Sequence, residues 1–202
     1  MKYLYLLIFV LMPFVGFCQE YLPGSITKSD GTKLEGYISI EKNLTPTYIK
    51  FKASRAEGDL SYSAQQLLAF QINGKADYVS YHGIISMDKN RFPYIEPLLD
   101  TITAMATLFL KEVYHGKNIS LFSQTDDLKT RYFITERNSD LRELKFYYFN
   151  AGYDDDRKVP TYKAQLGLLA QKNHNDDKSL IAKIRKTPFE EDGLKKIVKL
   201  LD

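Results

Sequence analysis

Apolar and polar residues alternate with a period of two along most of this chain, the pattern of half-buried strands. Gly24 to Ile40 reads as a hairpin. Asp30-Gly31 is its turn, flanked by Ser25-Ile26-Thr27 and by a strand in which Leu34, Ile38 and Ile40 share one side of the pleat. Tyr48 to Lys52 is a third strand, entered through Pro46. Leu60-Ser61-Tyr62 and Leu67 to Ile72 follow, separated by Ser63-Ala64-Gln65-Gln66, which suits one helical turn capped by Ser63. Asn73-Gly74 is a second hairpin turn, leading into Tyr78-Val79-Ser80-Tyr81.

The middle of the chain fits two periods. Leu98, Leu99, Ile102, Met105, Ala106, Phe109 and Leu110 fall at helical spacing, yet Leu108, Leu110 and Tyr114 alternate with Phe109, Lys111 and Val113. Residues 98–106 stay open between helix and strand. A strand from Thr107 to Tyr114 opens a second meander, continued by Ile119 to Phe122, Arg131 to Thr135 and Leu144 to Phe149, with turn signals at His115-Gly116 and Asn138-Ser139. Asn150 to Pro160 is polar and acidic and reads as a loop. Three short amphipathic helices follow, marked by Tyr162, Leu166 and Leu169, by Leu180, Ile181 and Ile184, and by Leu194, Ile197, Val198 and Leu201. Thr187-Pro188-Phe189-Glu190 has the form of a helix start, with Thr at the cap, Pro first and Glu third. Gly193 inside that helix weakens it by roughly 1 kcal/mol relative to Ala. The expected fold is α+β: a mainly antiparallel β-meander of about eight or nine strands, a curved sheet or barrel, with a C-terminal subdomain of about three short helices. Those helices are short, so docking on each other or on the sheet must stabilise them.

The first eighteen residues stand apart. Lys2 is followed by an uncharged apolar run from Tyr3 to Phe17, and Gly16-Phe17-Cys18 sets small residues three and one positions before Gln19. This is the pattern of a secretory signal cut after Cys18. Fifteen residues make about 22 Å of helix, short of a bilayer core of ~30 Å. A lipid anchor on Cys18 is the alternative, and the bulky Phe17 argues against it. The expected organisation is a signal peptide over 1–18, a β-rich domain over 19–150 and a helical subdomain over 151–202. Cleavage leaves 184 of the 202 residues, with 27 basic against 25 acidic side chains and no cysteine. A thiol-free body of that size is stabilised in an oxidising compartment by its core alone. The near balance of charge gives no footprint for nucleic acid. Asp100 and Lys111 bracket only ten uncharged residues, so no transmembrane helix is expected in the body.

The order of these features resembles a family of uncharacterised exported proteins of Bacteroidota. The likeness lies in the signal ending near Gln19, the Gly24–Ile38 hairpin, the strand from Pro46 to Phe51 and the Tyr62-Ser63 step towards Leu67-Leu68-Ala69-Phe70. It extends to the hairpin around Gly116 and to Tyr162-Lys163-Ala164-Gln165-Leu166 ahead of short helices. The resemblance implies the fold and an envelope location, and carries no activity.

Chemistry is sparse. His82, His115 and His174 have no ligand-spaced partners, so no metal or cofactor is expected. Asp154-Asp155-Asp156 runs into Arg157-Lys158 instead of a calcium loop, and Glu190-Glu191-Asp192 suits a helix N-terminus. No Gly-x-Ser-x-Gly elbow and no phosphate loop occurs. Asn43-Leu44-Thr45 and Asn118-Ile119-Ser120 match N-glycosylation acceptors, and Asp100-Thr101-Ile102 matches an O-glycosylation acceptor of Bacteroidota.

Aromatic supply is the functional hint: 15 Tyr and 12 Phe with no Trp. Tyr132, Phe133, Phe146, Tyr147 and Tyr148, with Phe122, fall on adjacent predicted strands. They make a candidate binding face for a sugar or a protein partner, unless the helices cover it. The expected function is a non-enzymatic binding or scaffolding protein of the periplasm or outer-membrane surface, its partner an envelope protein or a glycan. The alternative is an envelope hydrolase acting on glycan or peptide polymers through a carboxylate pair such as Glu112 with Glu136. A third reading is a module that assembles through an exposed strand edge.

Overall fold

A computed structural model describes residues 20–40, 44–137, 139–152, 155–174 and 177–202. The proposed export segment with Cys18, and also Asn43, Asn138, Asp154 and the side chain of His174, lie outside the described residues. The first strands are β1 (Leu22–Lys28), β2 (Lys33–Ser39), β3 (Tyr48–Lys52), β4 (Leu60–Ser63), β5 (Leu67–Ile72) and β6 (Ala76–Ser86). There follow β7 (Thr103–His115), β8 (Ile119–Thr125), β9 (Thr130–Glu136), β10 (Arg142–Leu144), β11 (Tyr147–Asn150) and β12 (Asp156–Val159). The helices are α1 (Thr161–His174), α2 (Lys178–Lys186) and α3 (Glu191–Leu201). Ten strands form one open antiparallel sheet in the order β10-β9-β8-β7-β6-β5-β1-β2-β3-β4, and β11 pairs with β12. The α+β expectation holds, with the sheet open. Residues 103–106 belong to β7, which settles their period as a strand.

The meander has one departure. β5 returns to pair with β1, so the β1–β2 hairpin and β3 stand between β4 and β5. Only Ala64, Gln65 and Gln66 join those two strands, in a turn closed by Gln66 N–H donating to Ser63 O at 3.0 Å. Four inter-strand spacings in a flat sheet would be about 19 Å, beyond the reach of so short a connection. This half of the sheet therefore rolls up. Its inner face buries Ile26, Ile38, Ile49, Phe51, Leu67, Phe70, Ile72, Tyr78 and Phe109 as one cluster. The turns behave as read: Gly31 and Gly74 take φ of 86° and 69°, open to residues without a Cβ penalty.

The other half is closed by the helices. Ile119, Leu121, Tyr132, Ile134 and Leu144 of the sheet meet Tyr162, Leu166, Leu169, Leu180, Ile184, Leu194, Ile197, Val198 and Leu201 in a second cluster. Each predicted helix stripe thus finds the surface it needed. Gln165 also blocks the edge of β10. Its side-chain NH₂ donates to Glu143 O at 2.9 Å, and its carbonyl accepts Lys145 N–H at 2.8 Å. After α3, the Asp202 carboxylate accepts the backbone N–H groups of Lys117, Asn118 and Ile119 at 2.9, 2.6 and 2.8 Å. The Asn118 bond contributes most to holding its pKa down at about 2.

Two local readings are corrected. Thr187 ends α2 and does not start α3: its backbone is extended, its hydroxyl donates back to Lys183 O, and its carbonyl accepts the buried Tyr162 hydroxyl at 2.6 Å. The cap of α3 is Glu190, and a Cβ on Gly193 would lie 2.8 Å from Pro188 Cγ, so packing requires the glycine. The stretch Leu144 to Phe149 is not one strand. It breaks after β10, and β11 leaves the sheet to pair with β12, so much of the expected Asn150–Pro160 loop is a hairpin strand. That hairpin straddles position 150.

Candidate functional site

The two clusters occupy the same face of the sheet, and the strand register shows what lies between them. Residues in direct register across eight strands run Leu34, Ile26, Phe70, Tyr78, Lys111, Ser123, Tyr132 and Leu144. Register partners share a face. The row starts in the rolled core and ends beneath the helices. It is apolar or aromatic throughout, except at Lys111 and Ser123, which lie between the two clusters and belong to neither.

A cleft opens at that gap. It consists of two adjoining hollows of about 490 and 500 Å³, which share Glu20, Ile40, Lys75, Tyr78 and Lys111. Leu22, Ile38, Ile72 and Ala76 line the first, while Thr45, Ser123, Thr125 and Glu191 line the second. Hollows of this size fall within the range of small-molecule sites. One wall is latched: Thr45 N–H donates to Thr125 O at 2.9 Å, and Thr125 N–H donates to Thr45 Oγ1 at 2.8 Å. This pins the β2–β3 connection across the end of β8.

The polar groups of the gap have no partner among the described residues and open onto the hollow. Tyr78 is 7% exposed and Ser123 5%, and neither side chain has a hydrogen-bond partner among the described residues; the half-buried Lys111 has no ion-pair partner there. Tyr78 stacks on Phe70 with centroids 4.3 Å apart, and Phe109 meets Phe70 edge-on at 4.9 Å, so the phenol is held by a rigid aromatic backing. Burial pushes the Tyr78 hydroxyl up, keeping it protonated. The rim carries Lys75, 3.9 Å from Glu20, and Glu191 on the first turn of α3.

A second polar cluster, on the opposite face, has the reverse character. Lys129 Nζ donates to Ser86 Oγ at 2.9 Å and to Asp88 Oδ1 at 2.5 Å. Arg131 donates to Ser86 O, Gln124 Oε1 and Asp126 Oδ2 at 2.8, 2.7 and 2.5 Å. Glu143 accepts from Ser86 N–H, from the Ser86 hydroxyl and from Lys145 Nζ. Three cations balance three anions, and only Asp88 Oδ2 and Arg131 Nη2 lack partners. Burial pushes the Lys129 ammonium down while Asp88 opposes the shift. The cluster fastens the segment after β6 to the β8–β9 turn. A smaller hollow of about 210 Å³ between β9, β10 and α1 is likewise self-satisfied, since Glu136 accepts Arg142 at 3.0 Å and Lys172 at 2.6 Å.

The five aromatic candidates do not come together on one face. Tyr132 is buried beneath the helices, edge-on to Phe189 at 5.1 Å, and its pKa is pushed up to about 12 by burial first and then by Glu191 and Glu190. Phe146 stacks on Phe189 at 4.8 Å in the same region. Phe133 is buried on the opposite face against Tyr81. Tyr147 and Tyr148 are half-buried on the β11–β12 ribbon, with Lys129 Nζ 5.9 Å from the Tyr147 ring centre. Alternation along β9 separates Tyr132 from Phe133, and the helices cover the former. Glu112 and Glu136 sit on opposite faces as well, because their register partners Phe122 and Ile119 do. His82 bonds Thr107 and His115 bonds Glu112, and no group of three or more potential metal ligands occurs among the described residues. Nor is any described helix long and apolar enough to cross a membrane.

Tyr78, Lys111 and Ser123 were missed as site residues. One signal was available: Lys111 interrupts the otherwise apolar alternation Phe109, Lys111, Val113 on β7. In comparisons with known proteins, no family, no curated protein and no solved structure matches this chain.

Proposed function

We propose that this chain is an exported cell-envelope protein that acts as a non-enzymatic binding module, holding a small ligand in the cleft between its two cores. The observation that carries the reading is the row at Tyr78, Lys111 and Ser123, which has no partner among the described residues and stands beside an apolar floor in an open hollow. Donors that the protein leaves without a partner at the wall of an open hollow are placed to bond the polar part of a ligand. The charge and apolar stretch ahead of Gln19 supports the envelope assignment.

The test uses the chain from Gln19 to Asp202, which contains every described element. Titration with the neutral, environment-sensitive dye Nile red is expected to saturate at one dye per chain. Ala76→Trp, which fills the hollow from its half-buried lining, is expected to abolish the signal while circular dichroism stays unchanged. Binding that never saturates, or that survives Ala76→Trp in a folded protein, contradicts the reading. Export is tested separately, by fractionating cells and sequencing the N-terminus of the purified protein; an intact cytosolic chain would contradict it.

A further inference from the structure

We infer that the ligand is a single-chain amphiphile carrying one negative charge, its anionic head bound by the Tyr78, Lys111 and Ser123 row and its chain laid along Leu22, Ile38, Ile40 and Ile72. The inference rests on the binding-cleft reading and adds the chemistry of the occupant.

The row supplies three donors side by side on β6, β7 and β8: a phenol, an ammonium and a hydroxyl. Neighbouring Cβ atoms in such a row are about 5 Å apart, so the two oxygens of one carboxylate reach adjacent members. Lys111 has no ion-pair partner among the described residues, and a charge-assisted bond from an ammonium to a carboxylate is stronger than one between neutral groups. A neutral head would forgo that charge-assisted bond.

The rest of the lining limits the ligand's charge. Lys75 is drawn to Glu20, and Glu191 adds a further negative charge at the rim. Among the described lining residues, two cations therefore face two anions. Lys75 lies within ion-pair distance of Glu20, which leaves Lys111 to meet one anionic head; a second negative charge would face the carboxylate of Glu191. The floor is aliphatic, which suits a hydrocarbon chain, whereas a sugar or a polar peptide would need hydrogen-bond partners that Leu22, Ile38, Ile40 and Ile72 cannot give.

Displacement of bound Nile red by dodecanoate, dodecanol and dodecyltrimethylammonium, all below their micellar concentrations, tests the inference. Dodecanoate is expected to displace the dye at a concentration about tenfold lower than dodecanol, and the cation least well of the three. Lys111→Met should erase the advantage of dodecanoate and leave dodecanol unchanged, while Lys111→Arg should keep it. Tyr78→Phe, which retains the ring stack on Phe70, should reduce the advantage by a smaller factor. If dodecanol or the cation displaces as well as dodecanoate, or if Lys111→Met keeps the preference, the anionic-head assignment is overturned while the cleft reading stands. If Nile red itself never saturates, the cleft reading has failed instead.

Discussion

The two faces of the sheet treat their polar side chains in opposite ways. On one, Asp88, Asp126, Lys129, Arg131 and Glu143 bond within a largely buried cluster that includes Ser86. On the other, Tyr78, Lys111 and Ser123 stand in line with no partners in the open gap between two apolar cores. The first arrangement pairs its charges internally, leaving only Asp88 Oδ2 and Arg131 Nη2 without partners, and serves the fold. The second is open to solvent or to a ligand. Burial by itself does not mark a functional residue; donors left without a partner at the wall of a hollow are the better pointer.

Breaking the saturated cluster should give the largest effect. Asp88→Ala leaves Lys129 buried and uncompensated, and urea unfolding should show a loss of about 3–5 kcal/mol. A loss under about 1 kcal/mol would mean that the cluster is hydrated and not dry.

A pair of matched substitutions sharpens the contrast further. Tyr162→Phe removes the partner of a buried carbonyl at Thr187 and should cost roughly 1–3 kcal/mol. Tyr78→Phe removes a hydroxyl that bonds nothing and should change stability by no more than about 0.5 kcal/mol. Equal costs at the two tyrosines would remove the distinction between satisfied and unsatisfied groups.

Asp202 belongs to the saturated class, and its effect is read through pH. Its folded pKa, about 2, lies below the ordinary carboxylate value. The stabilisation is therefore fully present above about pH 4, the unfolded value, and is lost as pH falls from there towards 2. Thermal unfolding of Asp202→Asn should be shifted most at neutral pH, and its difference from the unsubstituted protein should shrink across that acid window. A difference that stays constant from pH 7 to pH 2 would show that the carboxylate is not the group holding the turn.

The smallest effect belongs to Lys111→Met. Removing an unpaired, half-buried cation from the edge of an apolar floor should be neutral or slightly stabilising in urea unfolding, within about 0.5 kcal/mol. A large loss there would make Lys111 part of the scaffold.

The sequence announces most of this architecture, and the reasons are local. Asp30-Gly31 and Asn73-Gly74 signal their turns because a left-handed backbone suits Gly, and the stripes Leu194, Ile197, Val198 and Leu201 signal a helix that must cover something. What stays hidden is decided by distant partners. Thr187 has the chemistry of a helix start, but Tyr162, 25 residues away, takes its carbonyl and holds the backbone extended. Asp156–Val159 is too polar to announce a strand and becomes one only by pairing with β11. The site is hidden for the same reason. Lys111 breaks an apolar alternation in plain view, but only the register across β6, β7 and β8 sets it between Tyr78 and Ser123. For the aromatics of β9 the sequence leaves open whether the helices cover them, and packing decides it: Tyr132 lies beneath the helices and Phe133 on the other face.

The claim that the unpaired row is the ligand's seat is tested most directly by heteronuclear NMR of the chain from Gln19, titrated with dodecanoate. The amides of Tyr78, Lys111 and Ser123 should shift together and saturate, while those of Ser86, Lys129, Arg131 and Glu143 stay fixed. Shifts centred on the saturated cluster, or scattered over the exposed Phe92, Leu98 and Ile102, would contradict the account.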